Sequence, residues 1–246
     1  MTSYGQTDVG CVRPNNQDTF RLGTLAQNAS YAIVCDGMGG AAGGSVASNL
    51  AADMIEKRLQ QGFREGISEF SLLHLMDTTL AAANALVYDE SMADPELRGM
   101  GTTAVVALVY DGQAYTAHVG DSRIYSVDET IVQQTRDHSV VQDMVENGQL
   151  TPQEARHHPH KHLITRAVGV DERVAADLAV MELPPTTGLL LCSDGLTNMV
   201  SDEQILSVAR STDPPNVPAR LIELAKQAGG DDNITVVWMA PKEKEE

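Results

Sequence analysis

The chain has 246 residues, enough for one large domain or two small ones, and 42% of them are hydrophobic, as in an ordinary globular protein. Its 34 acidic and 17 basic residues give a formal net charge of -17, which disfavours nucleic acid and anionic membrane surfaces as partners. The three cysteines form no Cys-x-x-Cys pair, so no disulfide framework is expected. Without a signal-like start or a long apolar run, the pattern predicts a cytoplasmic protein with no membrane span.

The first predicted elements are one strand and two long helices. The run "YAIVC" at 31–35 is typical of a buried β-strand. Apolar residues at spacings of three and four then run from Ala47 to Leu59 and again from Leu72 to Val87, which predicts two amphipathic helices. We expect these helices to lie side by side on a sheet.

Three further strands are predicted at 103–110, 113–119 and 123–127. Asp111-Gly112 joins the first two of them through a typical hairpin turn. The segment "GDS" at 120–122 is predicted to join the next pair through another tight turn. Consecutive hairpins favour an antiparallel meander over the strand–helix alternation of a doubly wound sheet.

The C-terminal third adds two strands, at 188–192 and 234–239, and one helix from Val217 to Ala228 that Gly229-Gly230 should end. "TPQE" at 151–154 and "SDEQ" at 201–204 have the pattern of helix capping boxes. Neither an internal repeat nor a low-complexity linker interrupts the chain. The sequence therefore predicts one α+β domain over residues 1–240 and a frayed charged tail at 241–246.

Five aspartates each adjoin a strand-like run, and four of them are followed by Gly, Ser or Asn; they are Asp18, Asp36, Asp121, Asp194 and Asp232. Each could simply cap a turn. If the strands are neighbours, however, their ends bring together carboxylates that repel one another unless a cation neutralises them. Oxygen-only ligands favour Mg²⁺ or Mn²⁺ over Zn²⁺, and Gly37 allows the backbone to approach such an ion. A cation site is therefore the stronger hypothesis.

Six ordered motifs spanning nearly the whole chain resemble those of the type 2C metal-dependent Ser/Thr protein phosphatases. They are "RPNNQD" (13–18), "DGMGG" (36–40), "MGTT" (100–103), "GDSR" (120–123), "SDGL" (193–196) and "GGDDNITVV" (229–237). The resemblance implies a four-layer α+β sandwich, in which two antiparallel β-sheets are flanked by paired antiparallel helices. The short chain, and Met38 where eukaryotic members often carry histidine, are most similar to the bacterial branch.

The resemblance also implies two or three Mn²⁺ or Mg²⁺ ions per chain. Asp36 would bridge two of them, and the Gly37 carbonyl would bind one. Asp194 and Asp232 would complete the other site, and Asp121 would hold a third ion together with Asp194.

The remaining site residues implied by the resemblance act around these metals. Arg13 would clamp the substrate phosphate, for which a planar guanidinium is well suited. Asp18 would bind or orient a metal-bound water, and Asn233 would support the last acid. Hydrolysis of phosphoserine or phosphothreonine by a metal-activated water follows. Met38 leaves open which group protonates the leaving alkoxide.

Three hypotheses fit these observations: a phosphatase that opposes a bacterial Ser/Thr kinase, a catalytically silent binding module, and a metal-dependent hydrolase of another phosphorylated target. None of the principal acids is missing, which favours the first hypothesis, and we expect the protein to act as a monomer on phosphoproteins.

The resemblance implies that residues 137–171 form a flap beside the active site. Within it "RHHPHKH" at 156–162 lacks a usual zinc spacing and is predicted to be a mobile loop, from which His162 is one candidate proton donor. "GMGGAAGG" at 37–44 lacks a P-loop ending, so nucleotide binding is not expected.

Overall fold

The computed structural model describes residues 1–156 and 158–241, apart from the side chains of Ala41 and Ala42. The strands within these ranges are β1 (Thr2–Asp8), β2 (Asp18–Ala26), β3 (Ala29–Met38), β4 (Gly101–Thr102), β5 (Ala104–Tyr110), β6 (Gln113–Val119), β7 (Arg123–Val127), β8 (Ile131–Gln133), β9 (Asp177–Glu182), β10 (Gly188–Cys192) and β11 (Ile234–Ala240). The α-helices are α1 (Gly40–Gly62), α2 (Glu69–Ala93), α3 (Val140–Glu146), α4 (Pro152–Arg156), α5 (Asp194–Thr197), α6 (Asp202–Ser211) and α7 (Val217–Gln227).

The strands form two antiparallel sheets. One has the order β1-β11-β10-β7-β8, and the other has the order β2-β3-β5-β6-β9 with the short β4 paired to β3. Helices α1 and α2 pack against each other on the second sheet, while α6 and α7 lie over the first. A third apolar core lies between the two sheets. The predicted α+β architecture with flanking helices is therefore confirmed.

All six predicted strands are present, but three long strands were missed. β1 and β2 each contain a glycine and several polar residues, and β9 is a largely exposed edge strand, so none shows a clear apolar run. They are extended because they pair with apolar partners: β1 pairs along its whole length with β11, and β2 pairs with β3. The β2–β3 register places Asp18 directly opposite Asp36.

The prediction of consecutive hairpins is half wrong. β5 and β6 form the expected hairpin, in which Asp111 (φ 51°) and Gly112 (φ 76°) have the positive φ values of a type I′ turn. β6 and β7, in contrast, belong to different sheets, so residues 120–122 form a crossover and not a hairpin. This crossover places Asp121 where the two sheets meet.

The helix predictions are confirmed, including both capping boxes and the end of α7 before Gly229. α2 has the length and apolar composition of a membrane-spanning helix, with a mean hydropathy of 1.3 over its most apolar window. Its buried residues nevertheless recur at helical spacing and belong to the core beneath α1 and α2, as Leu72, Met76 and Leu80 illustrate. The composition of α2 is therefore that of a core helix. All three cysteines are free, and Cys35 and Cys192 are buried.

Candidate active site

Four of the five predicted aspartates line one cavity of about 670 Å³ at the strand ends: Asp36, Asp121, Asp194 and Asp232. Asp36 lies near the end of β3, Asp194 follows β10, and Asp232 precedes β11. Each acid lies at a different strand end or in a different loop, so only the packing of the two sheets brings the four carboxylates to the same cavity.

Asp18 is the fifth acid, and it is almost completely buried, with 7% of its surface exposed. Its Oδ2 accepts a hydrogen bond from Ser193 Oγ at 2.6 Å. Its Oδ1 is buried without any hydrogen-bond partner in the protein. A buried carboxylate oxygen without a donor is costly, so this atom fits a bound cation or an ordered water.

The electrostatics of the cluster favour a cation. Burial, opposed by hydrogen bonds and reinforced by Asp194, raises the pKa of Asp18 to about 7. Burial and then the neighbouring carboxylates also raise the pKa values of Asp36, Asp121 and Asp194. Carboxylates that resist ionisation together are stabilised by a positive ion placed among them.

The backbone beside Asp36 also suits close approach of an ion. Gly37 lines the cavity, and a Cβ built there would lie 2.0 Å from the carbonyl oxygen of Gly44. Only glycine therefore fits. Together, the all-oxygen donor set, the unpartnered oxygen of Asp18 and the glycine at position 37 fit a hard divalent cation such as Mn²⁺ or Mg²⁺.

Two threonines hold Asp36 in place, a function that the sequence reading did not assign. Thr103 Oγ1 accepts a hydrogen bond from the Asp36 N–H at 3.0 Å, and the Thr103 N–H donates to the Asp36 carbonyl at 2.8 Å. Thr102 Oγ1 donates to the same carbonyl at 2.9 Å. Both residues lie in the "MGTT" motif, so adjacent hydroxyl residues before a strand were the available signal.

Ser193 is a third residue to which the sequence assigned no function. Besides its bond to Asp18, its Oγ accepts the Thr235 N–H at 3.0 Å. The serine is fully buried and directly precedes Asp194. One hydroxyl thus connects Asp18, β11 and the residue next to Asp194.

Arg13 and Asn233 lie at the side of the cavity formed by Asp232. Arg13 Nη2 donates to Asp232 Oδ2 at 2.7 Å, and about half of the arginine side chain is exposed. The Asn233 N–H donates to Asp232 Oδ1 at 2.8 Å. The Asn233 amide group instead bonds Val9, Asn15 and Gln17 through their main chains, so it fixes the loop that carries Arg13.

Three other residues lie near the same cavity, and the sequence singles out two of them, Met38 and His162. Gln17 Nε2 donates to the Gly40 carbonyl at 2.9 Å, so its amide ties the N-terminal loop to the start of α1. Met38 and His162 both line the cavity. His162 is close enough to lower the pKa of Asp194, although burial outweighs this effect. His157, part of the same histidine-rich segment, lies outside the described residues.

Residues 13–224 match the family model described as protein phosphatase 2C. The chain is 36% identical over 243 residues to protein phosphatase PhpP of Streptococcus pneumoniae, and the match covers 97% of each chain. Among solved structures it is similar to serine/threonine phosphatase Stp1 from Staphylococcus aureus, with 34% identity, a TM-score of 0.91 and coverage of 98% and 95%. It is also similar to the catalytic domain of the phosphatase PstP in complex with 2 manganese ions, with 35% identity, a TM-score of 0.86 and 97% coverage of both chains.

The chain belongs to the protein phosphatase 2C family. The predicted family and the predicted class of enzyme are therefore confirmed, and the family is metal-dependent.

Proposed function

We propose that this protein hydrolyses phosphoserine and phosphothreonine in other proteins in a reaction that depends on divalent metal. The observation that carries the proposal is the convergence of four aspartates, three of them from strand ends in different parts of the chain, around one cavity beside Arg13, with the buried Asp18 opposite Asp36. No protein cation other than Arg13 is bonded to these carboxylates among the described residues. The site is thus built for positive ions and an anionic substrate.

The proposed metal ligands are those that the family resemblance implies. Asp36 and Gly37 would hold two ions with Asp194 and Asp232, and Asp121 with Asp194 would hold a third; Asp18 would orient a water. Bound Mn²⁺ or Mg²⁺ would lower the pKa of water and offset the negative charge of the phosphoryl group.

The remaining steps belong to the side chains of the protein. Arg13 would donate to two phosphate oxygens and fix the orientation of the phosphoryl group, for which a half-exposed guanidinium at the cavity edge is accessible. Met38 has no proton to donate. His162 lies in the same cavity, so we assign to it the protonation of the departing serine or threonine oxygen.

The wider setting is proposed on the same basis. Residues 1–240 would form a single catalytic domain with a flap at about 137–171, followed by the charged tail at 241–246. The natural substrates would be cytoplasmic phosphoproteins modified by a cognate Ser/Thr kinase. We expect the enzyme to act as a monomer.

The test is hydrolysis of a phosphothreonine peptide by the whole chain with Mn²⁺, with Mg²⁺ and with excess EDTA. Turnover with metal that EDTA abolishes is expected, and Asp194→Asn should lose it while remaining folded. Folded protein that is silent with both metals would instead be a binding module. Hydrolysis of small phosphate esters without peptide turnover would indicate a different phosphorylated target.

A further inference from the structure

A second cluster of ionisable side chains lies outside the cavity. His118 on β6, His138 after β8 and Asp177 at the start of β9 place ring nitrogens and a carboxylate oxygen within 4.8 Å of one another. Both histidines are buried, with 5% and 1% of their surfaces exposed. Neither the predicted metal site nor the proposed reaction uses them.

The geometry of the two rings excludes a shared metal ion. The rings of His118 and His138 are stacked, with centroids 4.7 Å apart and planes only 16° from parallel. A ring nitrogen binds a metal in the plane of its ring at about 2.0–2.1 Å, and these two planes do not converge within that reach. Arg166 Nη1 also lies 2.7 Å from Asp177 Oδ1 and already supplies the positive charge.

His138 instead binds both polar backbone groups of Gly120. The ring Nδ1 accepts a hydrogen bond from the Gly120 N–H at 3.1 Å, and the backbone N–H of His138 donates to the Gly120 carbonyl at 3.0 Å. Gly120 has a φ of +105° in the crossover between the two sheets, directly before Asp121. Two bonds from one residue thus hold the turn that presents Asp121 to the cavity.

The other side of His138 faces the segment that returns from the flap. Since Nδ1 accepts a hydrogen bond and so carries no proton, the neutral ring has its proton on Nε2, which donates to Asp177 Oδ2 at 3.2 Å. Arg166 binds the other oxygen of Asp177, and the His138 carbonyl accepts the Thr165 N–H at 2.8 Å. Burial lowers the pKa of His138, which agrees with this neutral tautomer.

We propose that His138 is a positioning residue of the metal centre: by holding Gly120 it fixes Asp121 at the cavity, and by binding Asp177 and Thr165 it ties that turn to the return segment of the flap. The inference rests on the proposed function only in taking Asp121 as a metal ligand. Residues that orient a metal ligand typically change metal affinity by about 10-fold to 100-fold when they are lost. Because His138 acts through the neighbouring backbone, we expect an effect near the lower limit.

The experiment measures Mn²⁺ binding to the whole chain by calorimetry, without substrate. His138→Gln places its amide near the position of Nε2 and loses the acceptor for Gly120. His138→Asn places its amide oxygen near the position of Nδ1 and keeps that acceptor. His118→Gln is the matched control, because His118 is an equally buried histidine whose Nε2 bonds the Arg136 carbonyl and not Gly120.

We expect His138→Gln to weaken the weakest Mn²⁺ site by about tenfold. His138→Asn and His118→Gln should stay close to the unmodified protein. Equal affinity in all four proteins would overturn the inference, and so would an equal loss in His118→Gln, which would indicate general loosening of the cluster.

Hydrogen exchange in the unmodified chain gives a second readout that does not depend on how the variants fold. The Gly120 amide should exchange as slowly without metal as the amides of β6, and fast exchange there would contradict the proposed bond. These measurements do not involve turnover. If the expected binding pattern appears but no phosphopeptide is hydrolysed, the proposed function fails while the role of His138 stands.

Discussion

Replacing Asp18 by asparagine tests the electrostatic cost that the buried acids impose on the metal-free protein. The asparagine Oδ1 can still accept the hydrogen bond from Ser193, and its Nδ2 takes the place of the unpartnered Oδ1 of Asp18, opposite Asp36 in the β2–β3 register. The variant therefore removes a buried ionisable group while leaving its partners in place. We expect Asp18→Asn to be more stable than the unmodified protein when metal is absent.

The magnitude follows from the pKa of Asp18, which burial raises from its ordinary value of 3.8 to about 7. A difference of one pH unit between folded and unfolded pKa corresponds to about 1.4 kcal/mol. Because the folded pKa is the higher one, the folded chain is favoured below about pH 4 and loses stability as the pH rises towards 7. The cost to the folded state is about 2 kcal/mol at pH 5 and about 4 kcal/mol above pH 7.

The assay is thermal unfolding in excess EDTA at pH 5 and pH 8. For a chain of this size, 4 kcal/mol corresponds to roughly 10 °C in Tm, so the advantage of Asp18→Asn should be about 10 °C at pH 8 and clearly smaller at pH 5. With Mn²⁺ the order should reverse, since bound metal stabilises the folded state of the unmodified protein. Asp77→Asn, at an exposed carboxyl of α2, is the control. An advantage that does not grow with pH would refute the reasoning.

Three further predictions concern single side chains. His162→Gln should slow hydrolysis of a phosphothreonine peptide by about 10²-fold but spare 4-nitrophenyl phosphate, whose leaving group needs no proton; equal loss on both substrates would contradict the assigned role. Thr103→Val leaves the partly buried Asp36 N–H without its acceptor and should lower the free energy of unfolding by about 1–3 kcal/mol in urea with EDTA, whereas Thr103→Ser should retain most of that free energy. Gly188→Ala places a Cβ 2.1 Å from the Trp238 ring, so the core must shift at a cost of about 1–3 kcal/mol; an unchanged urea midpoint would show that Trp238 moves freely.

The apolar strands and the amphipathic helices were predictable because their signals are local. "YAIVC" and "GLLLC" are continuous apolar runs in strands that are buried on both faces, and α7 ends where two glycines follow it. Strands β1 and β2 were not predictable in the same way. Their polar residues and glycines are extended because neighbouring strands supply the hydrogen bonds and the apolar surface.

The aspartates of the site were also visible as acids beside strands, whereas their mutual distances were not. Asp18 lies opposite Asp36 because β2 pairs with β3, and Asp121 reaches the cavity because residues 120–122 cross between sheets instead of forming a hairpin. Ser193, Thr103 and His138 carry no motif that reveals their contacts. Each bonds to a partner at least 18 residues away in sequence, so the bond exists only in the folded chain.

Residue order along the chain thus specifies the apolar strands, the helices and the acids beside them, because apolar periodicity and turn chemistry act over a few neighbouring residues. The packing of two sheets decides which acids share a cavity and how far their pKa values rise, because burial and Coulomb repulsion depend on distances in space and not on separation in sequence.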